Sequence, residues 1–549
     1  MKRILMVNEG SHLLTGYATY GNEVLTRLYN TGKYELAEFA SSSYIEDAMS
    51  GRYPWKFYPN SVKENDPRHG EYKSQPANSF GRWRFERVLL DFKPDIVWDI
   101  RDFWMMLFEE ESPLRPYFHW TIMPTVDSAP QNEAWIETFI DADSVFTYSD
   151  WGGSVLQEQG GGKINYMGSA SPGVDLNIFK PYPDKNKHRD IMGLQDNLNI
   201  VGTVMRNQKR KLYPDLFDSF AKFIELCIKR GRQDLAQKTF LYAHTSYPDL
   251  GWNIPDLLKK YGVCHKVLFT YKCHHCHSYF PAFFQDAKTV CIKCNSLAAG
   301  LVNTQHGLSR QELADIYNMF DCYIQYSICE GFGMPQVEAI ACGVPLMSVD
   351  YSAMTEIVKR SNGYLLKPKI KFLELETGAY RVYPDNDYTA EQLFKFLSLP
   401  QPIRAKKGFV ARKAAAQYYD WDIVAKIWEN HFDNIELKGL QGKWDLPQIT
   451  KDVPQSLPEE TKDMSNDEFV KWLILYIWQE PNKLNSHTAL GMLRTLNHGF
   501  EQTGRNIKSV SRNDVFLYML SRANNKIHAE DARSNRLQLN TQDFLEVNK

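Results

Sequence analysis

Residues 321–345, DCYIQYSICEGFGMPQVEAIACGVP, read as three pieces in a row. The apolar run up to Ile328 has the length and composition of a buried strand, CEGFGMP is a glycine-rich turn, and VEAIACG is a short helix ending at Gly343. In an α/β sheet such a turn stands at the carboxyl end of a strand, where its free N–H groups suit a polar or anionic ligand. The stretch also carries two carboxylates eight positions apart, Glu330 at the turn and Glu338 inside the helix.

The same alternation extends outward. RILMVNE, KPDIVWDI, HWTIMPTVD and ADSVFTYS form one strand series with helix-like segments between them, and a second series runs through NIVGTVM, KTFLYAH, HKVLFTY, DCYIQYS and VPLMSVD. Such alternation predicts parallel sheets flanked by helices. At 549 residues the chain is too long for one ordinary core. We therefore expect an α/β protein with a first domain over 1–182 and a second over 183–435, joined near Pro181 and Pro183. From 443 to 549 the pattern turns helical without strands, which predicts a helical C-terminal appendage.

Composition is globular, with 43% hydrophobic and 24% charged residues, and a formal charge of -2 gives no global drive toward nucleic acid or anionic membrane. No apolar run approaches the roughly 20 residues of a membrane span. The start, MKRILMVNEGSH, turns polar at Asn8 and reads as a first strand rather than a secretion signal. Nine cysteines, an odd number with four of them in CxxC pairs, suit a reducing compartment, so a cytoplasmic location is expected.

Cys273, Cys276, Cys291 and Cys294 form CxxC, fourteen residues, CxxC. Two-residue spacing lets each pair wrap one ion as thiolates, and the spacer brings the pairs together around a tetrahedral Zn²⁺. A structural zinc ribbon inserted at 271–304 is the expectation. His274, His275 and His277 are alternative ligands, and redox exchange by a CxxC pair is an alternative use.

Taken in order, the motifs resemble the retaining glycosyltransferases of family 4 (group 1), which have the GT-B architecture of two facing Rossmann-like domains. The resemblance spans most of 1–435. It rests on GSHLLTGYA after the first strand, SPGVDLNIFKP, VGTVMRNQKRKLYP, the Glu330 to Glu338 stretch, GVPLMSVDYSAMTEIV, NGYLL and a closing helix around Trp421. It implies transfer of a sugar, with retention, from a nucleoside diphosphate sugar such as a UDP-sugar to a hydroxyl acceptor. It also implies roles for single residues. Glu338 resembles the glutamate on the ribose hydroxyls. Glu330 resembles the one facing the donor sugar, with the N–H groups of Gly331, Phe332 and Gly333 alongside. Arg206 and Lys211 resemble the pair that neutralises the departing diphosphate, with Lys209 or Arg210 as alternatives. Because side-chain cations can stabilise that charge, no catalytic metal is expected. Gly16 is either a turn glycine or the residue that lets the backbone approach the diphosphate. Where many family members carry a histidine after an inner strand of the first domain, this chain offers Asp127, to orient the acceptor hydroxyl or the donor sugar.

The acceptor is less defined. Residues 1–182 hold 17 Lys+Arg against 25 Asp+Glu, which disfavours a lipid acceptor at an anionic membrane. The ribbon, together with six cations between Arg494 and Lys526, suits a large acceptor such as a hydroxylated base in bacteriophage DNA, which would put the protein in the host cytoplasm. A glycan, protein or small-molecule acceptor is the alternative, as is a non-catalytic scaffold binding nucleic acid or protein through the ribbon. An epimerase or a phosphorylase would share the fold, but the chain shows no pyridoxal-lysine context.

Overall fold

Seven strands build the first sheet: β1 (Lys2–Glu9), β2 (Tyr34–Tyr44), β3 (Lys56–Ser61), β4 (Ile96–Asp99), β5 (His119–Ile122), β6 (Ser144–Thr147) and β7 (Tyr166–Ser169), in the order β3-β2-β1-β4-β5-β6-β7. β1 pairs in parallel with both β2 and β4. Ile4, Leu5, Met6 and Val7 are all fully buried, as both faces of a helix-covered parallel sheet require. The computed structural model describes residues 1–47, 51–112, 114–195, 197–285, 288–303, 305–437 and 463–464. Apart from 463–464, the appendage expected over 443–549 lies outside the described residues.

The second sheet contains β8 (Asn199–Val204), β9 (Thr239–His244), β10 (Val267–Cys273), β11 (Tyr279–Phe283), β12 (Ala299–Leu301), β13 (Cys322–Gln325), β14 (Leu346–Val349) and β15 (Tyr364–Leu366). Its order is β11-β10-β9-β8-β13-β14-β15, with β12 also paired to β10. The order reverses at β8, whose neighbours β9 and β13 are both parallel to it. That is the switch point where loops at the carboxyl ends diverge and leave room for a ligand. The helix Tyr213–Lys229 places Leu216, Phe217, Phe220 and Phe223 at helical spacing, all buried on the same core as Val201, Leu241, Phe269 and Ile324.

Two additions interrupt this pattern. β11 and β12 run antiparallel to β10; Cys273 ends β10, Cys276 follows it before β11, and Cys291 and Cys294 lie between β11 and β12. After β15 the chain makes an antiparallel hairpin, β16 (Pro368–Glu374) and β17 (Ala379–Pro384), which forms a two-stranded sheet of its own. Among the described residues, packing gathers Met1–Ile122, Ala142–Ser144 and 433–437 into one compact unit, and Met123–Asp141 with Val145–Phe432 into another.

Candidate functional site

β8 and β13 deliver their loops side by side. The Leu212 N–H donates to the Tyr326 carbonyl at 3.3 Å, the Ile328 N–H donates to the Arg210 carbonyl at 3.0 Å, and Ser327 Oγ donates to that same carbonyl at 3.2 Å. These backbone ties put the basic stretch after β8 against the glycine-rich turn after β13. Tight local bonds from Gln208 N–H to Arg206 O (2.9 Å) and from Lys211 N–H to Gln208 O (3.0 Å) set which cation faces which way.

Lys211 and Arg210 point to Glu330. Lys211 Nζ donates to Oε1, Arg210 Nη1 donates to Oε2 at 2.9 Å, and Gln325 Nε2 donates to Oε1 at 2.9 Å. Glu330 and Lys211 are both buried. Burial alone would raise the Glu330 carboxyl, but the Lys211 and Arg210 charges overcome it and hold it at about 2. Arg210 is in turn raised above its ordinary value, chiefly by the Glu330 charge. Burial lowers the Lys211 ammonium from its ordinary value against the opposing pull of the Glu330 charge, so the centre is a carboxylate set between two basic side chains.

Ser352 fastens the backbone at this point. Its Oγ accepts from the Glu330 N–H and donates to the Glu330 carbonyl, both at 3.0 Å. Its φ of +53° and ψ of −148° lie in a region that residues with a Cβ rarely adopt.

Past Glu330 the turn is built for close approach. A Cβ on Gly331 would lie 2.4 Å from Thr125 Cγ2, and Gly333 has φ +97° at the N-cap of the helix Met334–Ala341. No side chain caps that N-terminus, so the positive end of its dipole and its first N–H groups stand next to the charge centre. Phe332 is buried, its ring edge-on to Tyr419 at 5.6 Å. Within the helix, Glu338 Oε2 accepts from the Tyr317 hydroxyl at 2.8 Å, and burial raises its carboxyl above the ordinary value.

The other residues singled out in the sequence fall as follows. Arg206 turns away from Lys211 and forms a two-pronged pair with Asp249, at 2.8 and 3.1 Å. Lys209 stacks over the Trp252 ring at 4.4 Å. Arg210 and Lys211 are thus the two cations brought together. Asp127 stands beside the Glu330 turn: Oδ2 accepts from the Cys329 thiol at 3.2 Å, and Oδ1 accepts from Arg381 Nη1 at 2.8 Å. Gly16 opens the helix Gly16–Asn30, whose cap, Thr15, accepts from the Ala18 N–H. Gln325, Ser352 and Arg381 also reach this site. None has a spacing signal, since each reaches the site from a different strand end or hairpin.

The four cysteines converge. Their sulfur atoms all lie within 4.8 Å of one another, with Cys273 to Cys294 at 3.7 Å and Cys276 to Cys291 at 3.6 Å. A tetrahedral ion with bonds of ~2.3 Å separates its sulfurs by ~3.8 Å. The two knuckles repeat each other: His275 N–H donates to Cys273 Sγ and Lys293 N–H to Cys291 Sγ, both at 3.4 Å, while His277 and Asn295 take φ of +59° and +56° at matching places. The donor set therefore fits Zn²⁺.

The family described as "Glycosyl transferases group 1" matches residues 285–376. An MMP alpha-(1->4)-mannosyltransferase of Mycolicibacterium hassiacum is 30% identical over 125 residues, 23% of this chain. The match spans 27% of that relative's length. Among solved structures, the chain is similar to sucrose-phosphate synthase of Thermosynechococcus elongatus, with TM-score 0.56 and 16% identity over 79% of this chain and 98% of that one. It is also similar to Anabaena HepE in complex with UDP and glucose, with TM-score 0.51 and 14% identity over 79% and 100%. The fold is GT-B, with two Rossmann-like α/β domains, additional helices and the cysteine cluster in the second domain. Among the described residues no helix is long and apolar enough to cross a membrane.

Proposed function

We propose that the protein is a glycosyltransferase of the family 4 type that moves a sugar from a nucleoside diphosphate sugar to a hydroxyl acceptor, with retention at the anomeric carbon. Lys211 and Arg210 carry the proposal: two cations converge on a buried carboxylate beside an uncapped helix N-terminus, at the switch point of a parallel sheet. A departing diphosphate needs cations and N–H donors of this kind, set before the charge develops. Arg206, held by Asp249, is outside this pair. The HepE complex with UDP and glucose and the group 1 match support the donor class.

Glu330 stays ionised at neutral pH, so its role is to orient the two cations and accept hydrogen bonds from donor sugar hydroxyls, with Gly331, Phe332 and Gly333 alongside. Glu338 takes the ribose hydroxyls, Asp127 orients the acceptor or the sugar, and Gly16 lets the backbone approach the diphosphate. In this scheme the departing phosphate oxygen receives the acceptor proton. The glutamates are then binding groups rather than the acid and base of a glycoside hydrolase.

Zn²⁺ bound by Cys273, Cys276, Cys291 and Cys294 would be structural, tying β10 to the segment before β12, since four thiolates leave no open position for a substrate. For the acceptor we propose a large hydroxylated molecule, with a hydroxylated base in bacteriophage DNA first. Incubation with UDP-, GDP- and ADP-sugars, followed by mass analysis of hydroxymethylated DNA, glycans and protein, tests both halves. Sugar added to DNA is the expected result. Transfer only to a glycan or protein corrects the acceptor, and nucleoside diphosphate release from none of the donors overturns the transferase.

A further inference from the structure

The hairpin β16–β17 has little interior of its own, since Ile370, Leu373, Leu375 and Tyr380 are exposed. A two-stranded ribbon of that kind is marginal by itself. β17 is held instead by two loops of the candidate site. The Tyr380 N–H donates to the Ala129 carbonyl at 2.9 Å, the Val382 N–H donates to the Ile328 carbonyl at 3.2 Å, and the Tyr351 hydroxyl donates to the Tyr380 carbonyl.

Between those two backbone ties stands Arg381, 6% exposed. Its Nη1 bonds Asp127 Oδ1 at 2.8 Å, while Nε and Nη2 bond Glu374 Oε2 at 3.0 and 2.9 Å. Thr377 Oγ1 donates to the same Glu374 oxygen at 2.7 Å. The second Asp127 oxygen accepts from Cys329, the neighbour of Glu330. Arg381, Asp127, Cys329 and Glu330 thus form one connected run from the hairpin to the charge centre.

We infer that the hairpin is a clamp that laces the Asp127 loop to the Glu330 turn, and that Arg381 is a positioning residue acting on the transfer through Asp127. The role in transfer rests on the function proposed above; the clamp itself does not. The guanidinium uses its whole fork, one prong on the site and two on Glu374 at the end of β16. Lysine at this position keeps the charge and loses that geometry.

Peptide-resolved alkylation of the full-length protein by iodoacetamide reads the clamp without any substrate. In Arg381→Gln, Cys329 should be alkylated about tenfold faster through local opening, while the buried Cys322 and Cys342 keep their rates. Arg381→Lys should recover part of the protection. Turnover reads the second half: with donor hydrolysis as the assay, Arg381→Gln should lower kcat and leave the donor KM near wild type. The double variant with Asp127→Asn should be no slower than Asp127→Asn alone. An unchanged Cys329 rate, or a rise shared by all three cysteines, overturns the clamp. Multiplying losses in the double variant overturn action through Asp127. If the wild type hydrolyses no nucleoside diphosphate sugar, the transferase reading and the role in transfer fall together, and the alkylation rates still decide the clamp.

Discussion

Two buried glutamates, one in each compact unit, have opposite fates. Among the described residues, Glu38 on β2 accepts from neutral donors: the Ser11 N–H at 2.7 Å, Ser11 Oγ at 2.9 Å and Trp55 Nε1 at 2.9 Å. Burial dominates there and raises its carboxyl to about 7. Glu330 is also buried, but the Lys211 and Arg210 charges hold it at about 2. Burial alone therefore does not make a carboxylate an acid catalyst or a binding group; its partners decide. A site that must neutralise a leaving diphosphate needs the second kind, in which the cations are already desolvated and aimed.

The largest effect expected is from Glu330→Gln, which leaves the Lys211 ammonium buried without its main counter-charge. A loss of about 4 kcal/mol in stability is expected by denaturant titration; a loss below about 1 kcal/mol would mean that the pair is solvated in solution. The pH dependence sharpens the contrast. Both groups start from an ordinary value of 4.5. Glu38, raised, contributes stability that is full below 4.5 and is lost as pH rises to about 7, whereas Glu330, depressed, contributes stability present above 4.5 and lost as pH falls to about 2. Glu38→Gln should therefore gain on the wild type by about 3 kcal/mol between the two ends of the upper window. A constant difference across that window would break the contrast. Ser352 gives the smallest effect: Ser352→Ala, losing both bonds to Glu330, should cost about 1–2 kcal/mol. Ser352→Gly should cost less because it relieves the positive φ, as paired melting curves would detect.

The parallel strands were legible because, buried on both faces, they read as plain apolar runs such as ILMV in β1 and CYI in β13. The cysteine cluster was legible because each knuckle is local, with the spacing of its sulfurs written in four residues. The cations on Glu330 were only half legible. Lys211 reaches the centre, but RNQKRK alone does not say whether Arg206 or Arg210 accompanies it. That choice is made by the turn through Gln208 and by Asp249, 43 residues away, which captures Arg206. Arg381 lies 254 residues from Asp127, beyond any spacing rule. Its hairpin has a turn at Gly378, φ +68°, yet nothing in its sequence says which loops it will join.

The proposed function stands on Lys211 and Arg210, set on Glu330, receiving a nucleoside diphosphate. Calorimetric titration of UDP, GDP and ADP into the wild type and Lys211→Met tests it most directly. One of the three should bind the wild type, and its Kd should rise at least about tenfold in the variant. Equal affinity in the two proteins, or binding of none, would contradict it.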